Sequence, residues 1–242
     1  MQKSKYTYVW VSLVVLVFGI FAIPKIVDRV RQGAVVENDR INKKTNADAL
    51  AFVLQNGKKR RVPSFLFLNQ DSLLVSDKDY HGKVYVVEFF FTTCPSICPV
   101  MNKNLVAVQN EFSDRDDFGI ASFSITPEYD TPKVLKEYAE RYGITDMDWN
   151  LMTGETKEIY ELANSGFNIY AAEVEDAPGG FEHSGYFALI DKNGYIRSRV
   201  DEHGNPIVYY KGSISEAEGV NEEGEKQEIT ILKQDIKKLL EE

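Results

Sequence analysis

Cysteine is almost missing from this chain of 242 residues: there are 2, Cys94 and Cys98, with three residues between them. A secreted scaffold stapled by disulfides would carry more cysteines, spread along its length. A sulfur-rich structural zinc site is equally out of reach, because it takes four protein ligands. Histidine is scarce too, and any histidine-containing metal site must draw on His81, His183 or His203. Positive charge is in deficit, with 28 Lys and Arg against 37 Asp and Glu and a formal net charge of -9. No basic stripe with interleaved aromatics occurs. Phosphate contacts need clustered cations, so a general nucleic-acid binder is excluded. Internal repeats and low-complexity tracts are absent as well.

What is present suits a globular protein of one or two domains: 43% hydrophobic and 27% charged residues, enough chain to bury a full core. The longest uncharged run is residues 6–24, YTYVWVSLVVLVFGIFAIP. As a helix it spans roughly 28 Å, close to a hydrocarbon core of about 30 Å. Tyr6, Tyr8 and Trp10 stand at one end, where an aromatic belt belongs. A cleaved signal peptide is the alternative. The small residue Ala22 has Ile20 two positions before it, so the cleavage pattern of two small residues is missing. The expectation is a transmembrane anchor over 1–27, a polar tether over 28–56 and a folded domain over 57–242. Lys3 and Lys5 precede the run and Lys25, Arg29 and Arg31 follow it, so charge alone leaves the orientation open. The layout, a short tail and a large following domain, leads to the expectation that the tail stays in the cytoplasm and the domain is exported, facing the periplasm or cell exterior. No Arg- and Ser-rich transit peptide precedes the run, which favours a bacterial cytoplasmic membrane over a mitochondrial one.

The domain alternates strand and helix patterns. Segments 62–68 and 73–76 flank Asn69-Gln70-Asp71, a hairpin signal. Segment 84–91, VYVVEFFF, has the β-branched and aromatic content of a buried strand. A helix fits 99–112, a strand 119–125, and a helix 131–142 with Thr131 as N-cap, Pro132 in its first turn and Gly143 at its end. A strand at 149–152 and a helix over 155–165 follow. Segments 186–190 and 195–200 form a strand pair joined by Asp191-Lys192-Asn193-Gly194. Residues 213–226 are acidic and contain glycine, which reads as a solvated loop. The last segment, 227–242, sets Ile229, Leu232, Ile236 and Leu239 or Leu240 on one face of a closing helix. This order, β-α-β-α, then a hairpin and a helix, is the plan of an α/β thioredoxin-like fold.

The cysteines fall at the exit of the core strand, in Phe91-Thr92-Thr93-Cys94-Pro95-Ser96-Ile97-Cys98-Pro99. Pro99 suits a first helical position, which puts Cys98 near the N-cap, where free N–H groups and the helix dipole favour a thiolate. Thioredoxin-type redox pairs have two intervening residues. Three still permit a disulfide, and they widen the bite enough for both sulfurs to hold one ion. Soft thiolates select Cu(I), and a Cys2His set with a weak extra ligand also holds Cu(II). A peroxidase motif would need Thr where Phe91 stands. Two buried packing cysteines are the plainest alternative, disfavoured by the flanking prolines at a strand–helix junction.

Residues 84–101 resemble the copper-site signature of the Sco/SenC family, thioredoxin-fold chaperones of cytochrome c oxidase. The likeness extends to Thr126-Pro127-Glu128-Tyr129-Asp130-Thr131-Pro132, to Trp149-Asn150-Leu151-Met152-Thr153-Gly154 and to Glu182-His183-Ser184, over roughly 61–212. The resemblance implies that His183, before the strand at 186–190, completes a copper site with Cys94 and Cys98. It implies a membrane-anchored metallochaperone whose partner is cytochrome c oxidase subunit II. Thiol–disulfide reductase activity of Cys94 and Cys98 toward that partner is compatible with it. The family often has Asp where Thr126 and Glu182 stand, which bears on hydrogen bonding around the site and on docking. Glu128 and Asp130 read as helix-entry residues, and His81 and His203 as turn residues. Two further readings stand beside the chaperone: a thiol–disulfide oxidoreductase that needs the cysteines without His183, and a redox or copper sensor.

Overall fold

The computed structural model describes residues 10–20, 23, 50–174, 176–201 and 205–242. The chain divides into two compact units, Met1–Ala47 and Asp48–Glu242. In the first, residues 10–20 and 23 are helical, and the large apolar side chains from Trp10 to Ile20 are exposed. Among the described residues no helix is long and apolar enough to cross a membrane. The remainder of the segment read as an anchor, and the tether up to residue 49, lie outside the described residues.

The second unit begins with three two-residue strands, β1 (Ala51–Phe52), β2 (Leu54–Gln55) and β3 (Lys58–Lys59). Then come β4 (Leu66–Asn69), β5 (Leu74–Ser76), β6 (Val84–Phe90), helix α1 (Cys98–Glu111) and β7 (Phe118–Ser124). Helix α2 (Pro132–Tyr142), β8 (Trp149–Thr153) and α3 (Thr156–Glu161) follow, the last running into a π-helical turn, Leu162–Phe167. After β9 (Ala171–Glu173) and β10 (Phe181–His183), the chain completes its sheet with β11 (Tyr186–Ile190), β12 (Ile196–Ser198) and β13 (Tyr210–Lys211). Helix α4 (Ile229–Glu241) closes it.

The main sheet has the order β1-β12-β11-β6-β7-β8-β4-β5, with β13 against β11. Strands β6, β7 and β8 are parallel and their neighbours antiparallel. Parallel neighbours need crossovers, and α1 and α2 supply them. Every residue of β6 and β7 is buried, the physical reason 84–90 reads as an apolar run interrupted only by Glu88. At the hairpin, the Asn69 side-chain oxygen accepts from the N–H of Asp71 (3.0 Å) and of Leu73 (2.9 Å), a local turn bond that fixes the register of β4 against β5. Thr131 caps α2 through Val134 N–H, and Gly143 ends it at φ 75°. The mixed α/β fold and its β-α-β-α-hairpin-helix order are as the sequence predicts.

Several boundaries differ. Helix α1 starts at Cys98, one residue early, with Ile97 as its N-cap. The folded unit starts before residue 57: β1 pairs with β12, and Leu50 and Val53 are buried, so part of the expected tether is an edge of the sheet. Short two-residue pairings carry too little periodicity to be read from sequence. Residues 213–226 form turns tied down by a Val220–Lys226 bridge and by Lys211–Glu225 and Lys233–Glu216 ion pairs. Strands β9 and β10 form a separate two-stranded sheet that no sequence pattern announces.

Candidate metal centre

Strand β6 drives straight toward the site and stops at Phe90. The chain then turns, Cys94 N–H donating to Phe91 O at 3.2 Å. Cys98 follows as the first residue of α1, where Val100 and Met101 N–H both point back to Ile97 O at 3.0 Å. One sulfur is therefore fixed by a helix and the other by a turn. Both thiols are free and buried, Cys98 at 0% and Cys94 at 8% exposure.

His183 arrives from the opposite side at the end of β10, its backbone paired in register with Ala171. Ser184 N–H bonds Tyr170 O at 3.2 Å. The imidazole meets Phe91 edge-on, and Phe181 packs on Phe91 with ring centroids 5.6 Å apart. The result is a close approach: His183 Nε2 lies 3.1 Å from Cys98 Sγ. The ligand atoms of Cys94, Cys98 and His183 all lie within 4.8 Å of one another. Three donors bound at about 2.0–2.3 Å to one ion stand roughly 3.5–4 Å apart, so this set fits a single soft cation. Among the described residues it is the group of such donors with that convergence. A cleft of about 430 Å³ opens beside it, with Ser96, Ala177, Asp176 and Glu182 among its walls.

The two thiols are electrically unlike. Cys94 is held well below the usual thiol range, chiefly because it takes the hydrogen bond of the Cys98 thiol, with a further contact from His183; burial works against this. Cys98 is pushed up, first by burial and then by that same shared proton. The two sulfurs share one proton, and the geometry sets Cys94, with some access to solvent, in front of the fully buried Cys98, an attacking thiol before a resolving one.

Of the other histidines, His81 sits in an exposed turn, donating its N–H to Lys78 O, and His203 lies outside the described residues. Glu128 is exposed, Thr126 is buried and Glu182 is exposed at the cleft. Asp130 is 0% exposed and accepts from both the backbone N–H and the hydroxyl of Thr92 in the cysteine loop, more than a helix-entry role. Glu88, in the middle of β6, is likewise 0% exposed. A lone carboxylate inside a continuous apolar run is the signal that marks it.

The family model of SCO1/SenC proteins matches residues 54–216. The SCO1 protein homolog of Bacillus subtilis (strain 168) is 31% identical over 162 residues, 66% of this chain and 82% of its own length. Among solved structures, a SCO1/SenC family lipoprotein from Bacillus anthracis str. Ames superimposes with a TM-score of 0.62 at 28% identity, covering 78% of this chain and 99% of that one. BsSco, described by its disulfide switch and as a member of the Sco family of cytochrome c oxidase assembly proteins, gives 0.57 at 29% identity, covering 74% and 93%. Copper-bound ScoI of Arabidopsis thaliana shares the fold, with a TM-score of 0.54 at 21% identity, covering 75% and 99%.

Proposed function

The chain belongs to the SCO1/SenC family, and from that premise we propose that it is a copper metallochaperone for cytochrome c oxidase assembly, with Cys94, Cys98 and His183 as the copper ligands. The observation that carries this is the convergence of two thiols and one imidazole within 4.8 Å. Two thiolates and an imidazole are a soft set suited to Cu(I), and with a weak extra ligand to Cu(II). Copper is the cargo. The receiver is the dinuclear copper site of oxidase subunit II.

The same sulfurs supply reducing chemistry. Cys94, the more exposed thiol and the one with the lowered pKa, attacks a disulfide of the receiver. One receiver sulfur leaves as a thiolate and a mixed disulfide forms. Cys98 then displaces the second receiver sulfur, giving up its proton. Two electrons pass to the receiver, whose sulfurs end as free thiols, and Cys94 and Cys98 end as a disulfide. That disulfide holds no copper, so delivery and reduction exclude each other in one molecule.

The domain is held at a bacterial cytoplasmic membrane by an anchor over 1–27, facing away from the cytoplasm across the tether. Support comes from the uncharged helical residues 10–20, whose large apolar side chains from Trp10 to Ile20 are exposed, since a helix with no charged face belongs in a core or in lipid. An oxidoreductase without a copper role is the second reading, favoured by the asymmetry of the thiols.

The readings part at His183. Titrated with Cu(I) against a competing chelator, the full-length His183→Ala variant is expected to bind at least tenfold more weakly than wild type. Its disulfide should still form. Wild-type affinity and an unchanged Cu(II) spectrum in that variant would falsify the three-ligand site.

A further inference from the structure

Cys98 is held by a helix, but Cys94 sits in a loop, and something must fix that loop for the two sulfurs to share an ion. The residue that does so is Thr92, at the corner of the turn from Phe91 to Cys94. Its backbone N–H donates to Asp130 Oδ2 at 3.1 Å, and its hydroxyl donates to Asp130 Oδ1. The same carboxylate accepts from Ser124 Oγ at 2.6 Å and from Thr126 Oγ1 at 2.9 Å. Asp130 is 0% exposed. Its donors are the neutral N–H and hydroxyl groups of three segments: the cysteine loop, the end of β7 and the entry to α2. A buried carboxylate satisfied this fully is rigid, because breaking any one bond leaves a buried polar group unmet.

We infer that Asp130 is a positioning residue for the site: through Thr92 its carboxylate sets where Cys94 stands relative to Cys98. This rests on the copper reading of the site for its metal consequence and on the geometry alone for its thiol consequence. Sulfurs joined in a disulfide lie about 2.05 Å apart, and sulfurs around a shared ion roughly 3.5–4 Å apart. A clamp on the loop therefore governs both the affinity for copper and the ease of closing the disulfide. Thr126 bonds the same carboxylate but, among the described residues, makes no bond to the cysteine loop. A second carboxylate at that position would face Asp130 with like charge, whereas the Thr126 hydroxyl donates to it.

The test compares two deletions of one hydroxyl each in the full-length chain. Thr92→Val and Thr126→Val both remove a donor to Asp130, but only Thr92 leads to Cys94. Thr92→Val is expected to weaken Cu(I) binding about tenfold and to shift the dithiol–disulfide equilibrium measured against glutathione. Thr126→Val is expected to leave both within about twofold while lowering the urea midpoint comparably. Asp130→Asn should shift both readouts in the direction of Thr92→Val, and the threonine pair decides the matter without it if that variant does not fold. Equal shifts for the two threonine variants, or none for Thr92→Val, would overturn the clamp. Failure of wild type to bind Cu(I) would instead sink the copper reading, and the glutathione equilibrium, which needs no metal, would still test the clamp.

Discussion

Glu88 is the clearest case of a residue whose role depends on what surrounds it. It lies opposite Ser122 in the parallel β6–β7 pair. Its Oε1 accepts from Ser122 Oγ at 2.6 Å, and that hydroxyl accepts in turn from Trp149 Nε1 at 2.9 Å. Its Oε2 is buried without a partner. Burial pushes the carboxyl up to about 7 from 4.5, with the Ser122 bond opposing. The folded protein therefore holds this proton between pH 4.5 and 7 while the unfolded chain has lost it. Stability from this group is full below 4.5, falls as pH rises through that window and is flat above it. Burial pushes the pKa values of Cys98 and Tyr138 up, and the nearby charge of Glu88 adds a smaller push in the same direction. Urea unfolding of the reduced chain should lose on the order of 3 kcal/mol from this group between pH 4.5 and 8, and Glu88→Gln should remove that part of the slope. An identical pH slope in the variant would show that Glu88 is not the group responsible. At this scale the sulfurs were legible, because a Pro-flanked cysteine pair after a core strand is rare chemistry. Glu88 is marked only by standing alone in an apolar run, and Asp130 by nothing, since burial of a carboxylate is decided by elements distant in the chain.

The elements divide along the same line. Strands β6 and β7 and helices α2 and α4 are legible from local pattern: continuous apolar residues for covered strands, Thr131 and Gly143 for helix ends, and the face of Ile229, Leu232, Ile236 and Leu239, all buried. The β9–β10 hairpin that carries His183 has no such signature. Its strands are three residues each, and its turn is held by contact with the cysteine loop. Gly179 lies in that turn at φ 84°, and a Cβ there would stand 2.9 Å from the Phe91 ring and 3.3 Å from Pro95. Gly180, at φ 83°, has nothing within 4 Å. Alanine at either position costs about 1–2 kcal/mol for the left-handed backbone, but only at 179 does it push the hairpin off the cysteine loop. Gly179→Ala is thus expected to weaken Cu(I) binding several-fold, and Gly180→Ala to leave it near wild type despite a similar drop in the urea midpoint. Equal affinities for the two variants would mean that the hairpin does not set the position of His183.

At the scale of the whole unit, its two ends meet on one guanidinium. Arg197, in β12, is 4% exposed. It donates through Nη1 to Asp191 at 3.0 Å and to Glu242 at 2.8 Å, and through Nη2 to Glu242 and to the Leu50 carbonyl, each at 2.9 Å. It also lies over the Phe52 ring at 4.2 Å. The stretch before residue 57, polar enough by pattern to read as tether, therefore contributes the edge strand of the sheet, two buried side chains and a backbone acceptor for a buried cation. Composition could not reveal this, because the partners of Leu50, Ala51 and Phe52 lie almost 150 positions on, at Arg197 and Ser198. Each lost aliphatic side chain removes about 1.5–3 kcal/mol of burial, and an orphaned donor on Arg197 costs about 1–3 kcal/mol more. A chain beginning at residue 57 should thus unfold in urea at least about 3 kcal/mol more easily than one beginning at 48, with a smaller m-value because less surface is buried. Superimposable unfolding curves for the two would place residues 50–55 outside the cooperative unit, and Arg197 would then be held by Asp191 and Glu242 alone.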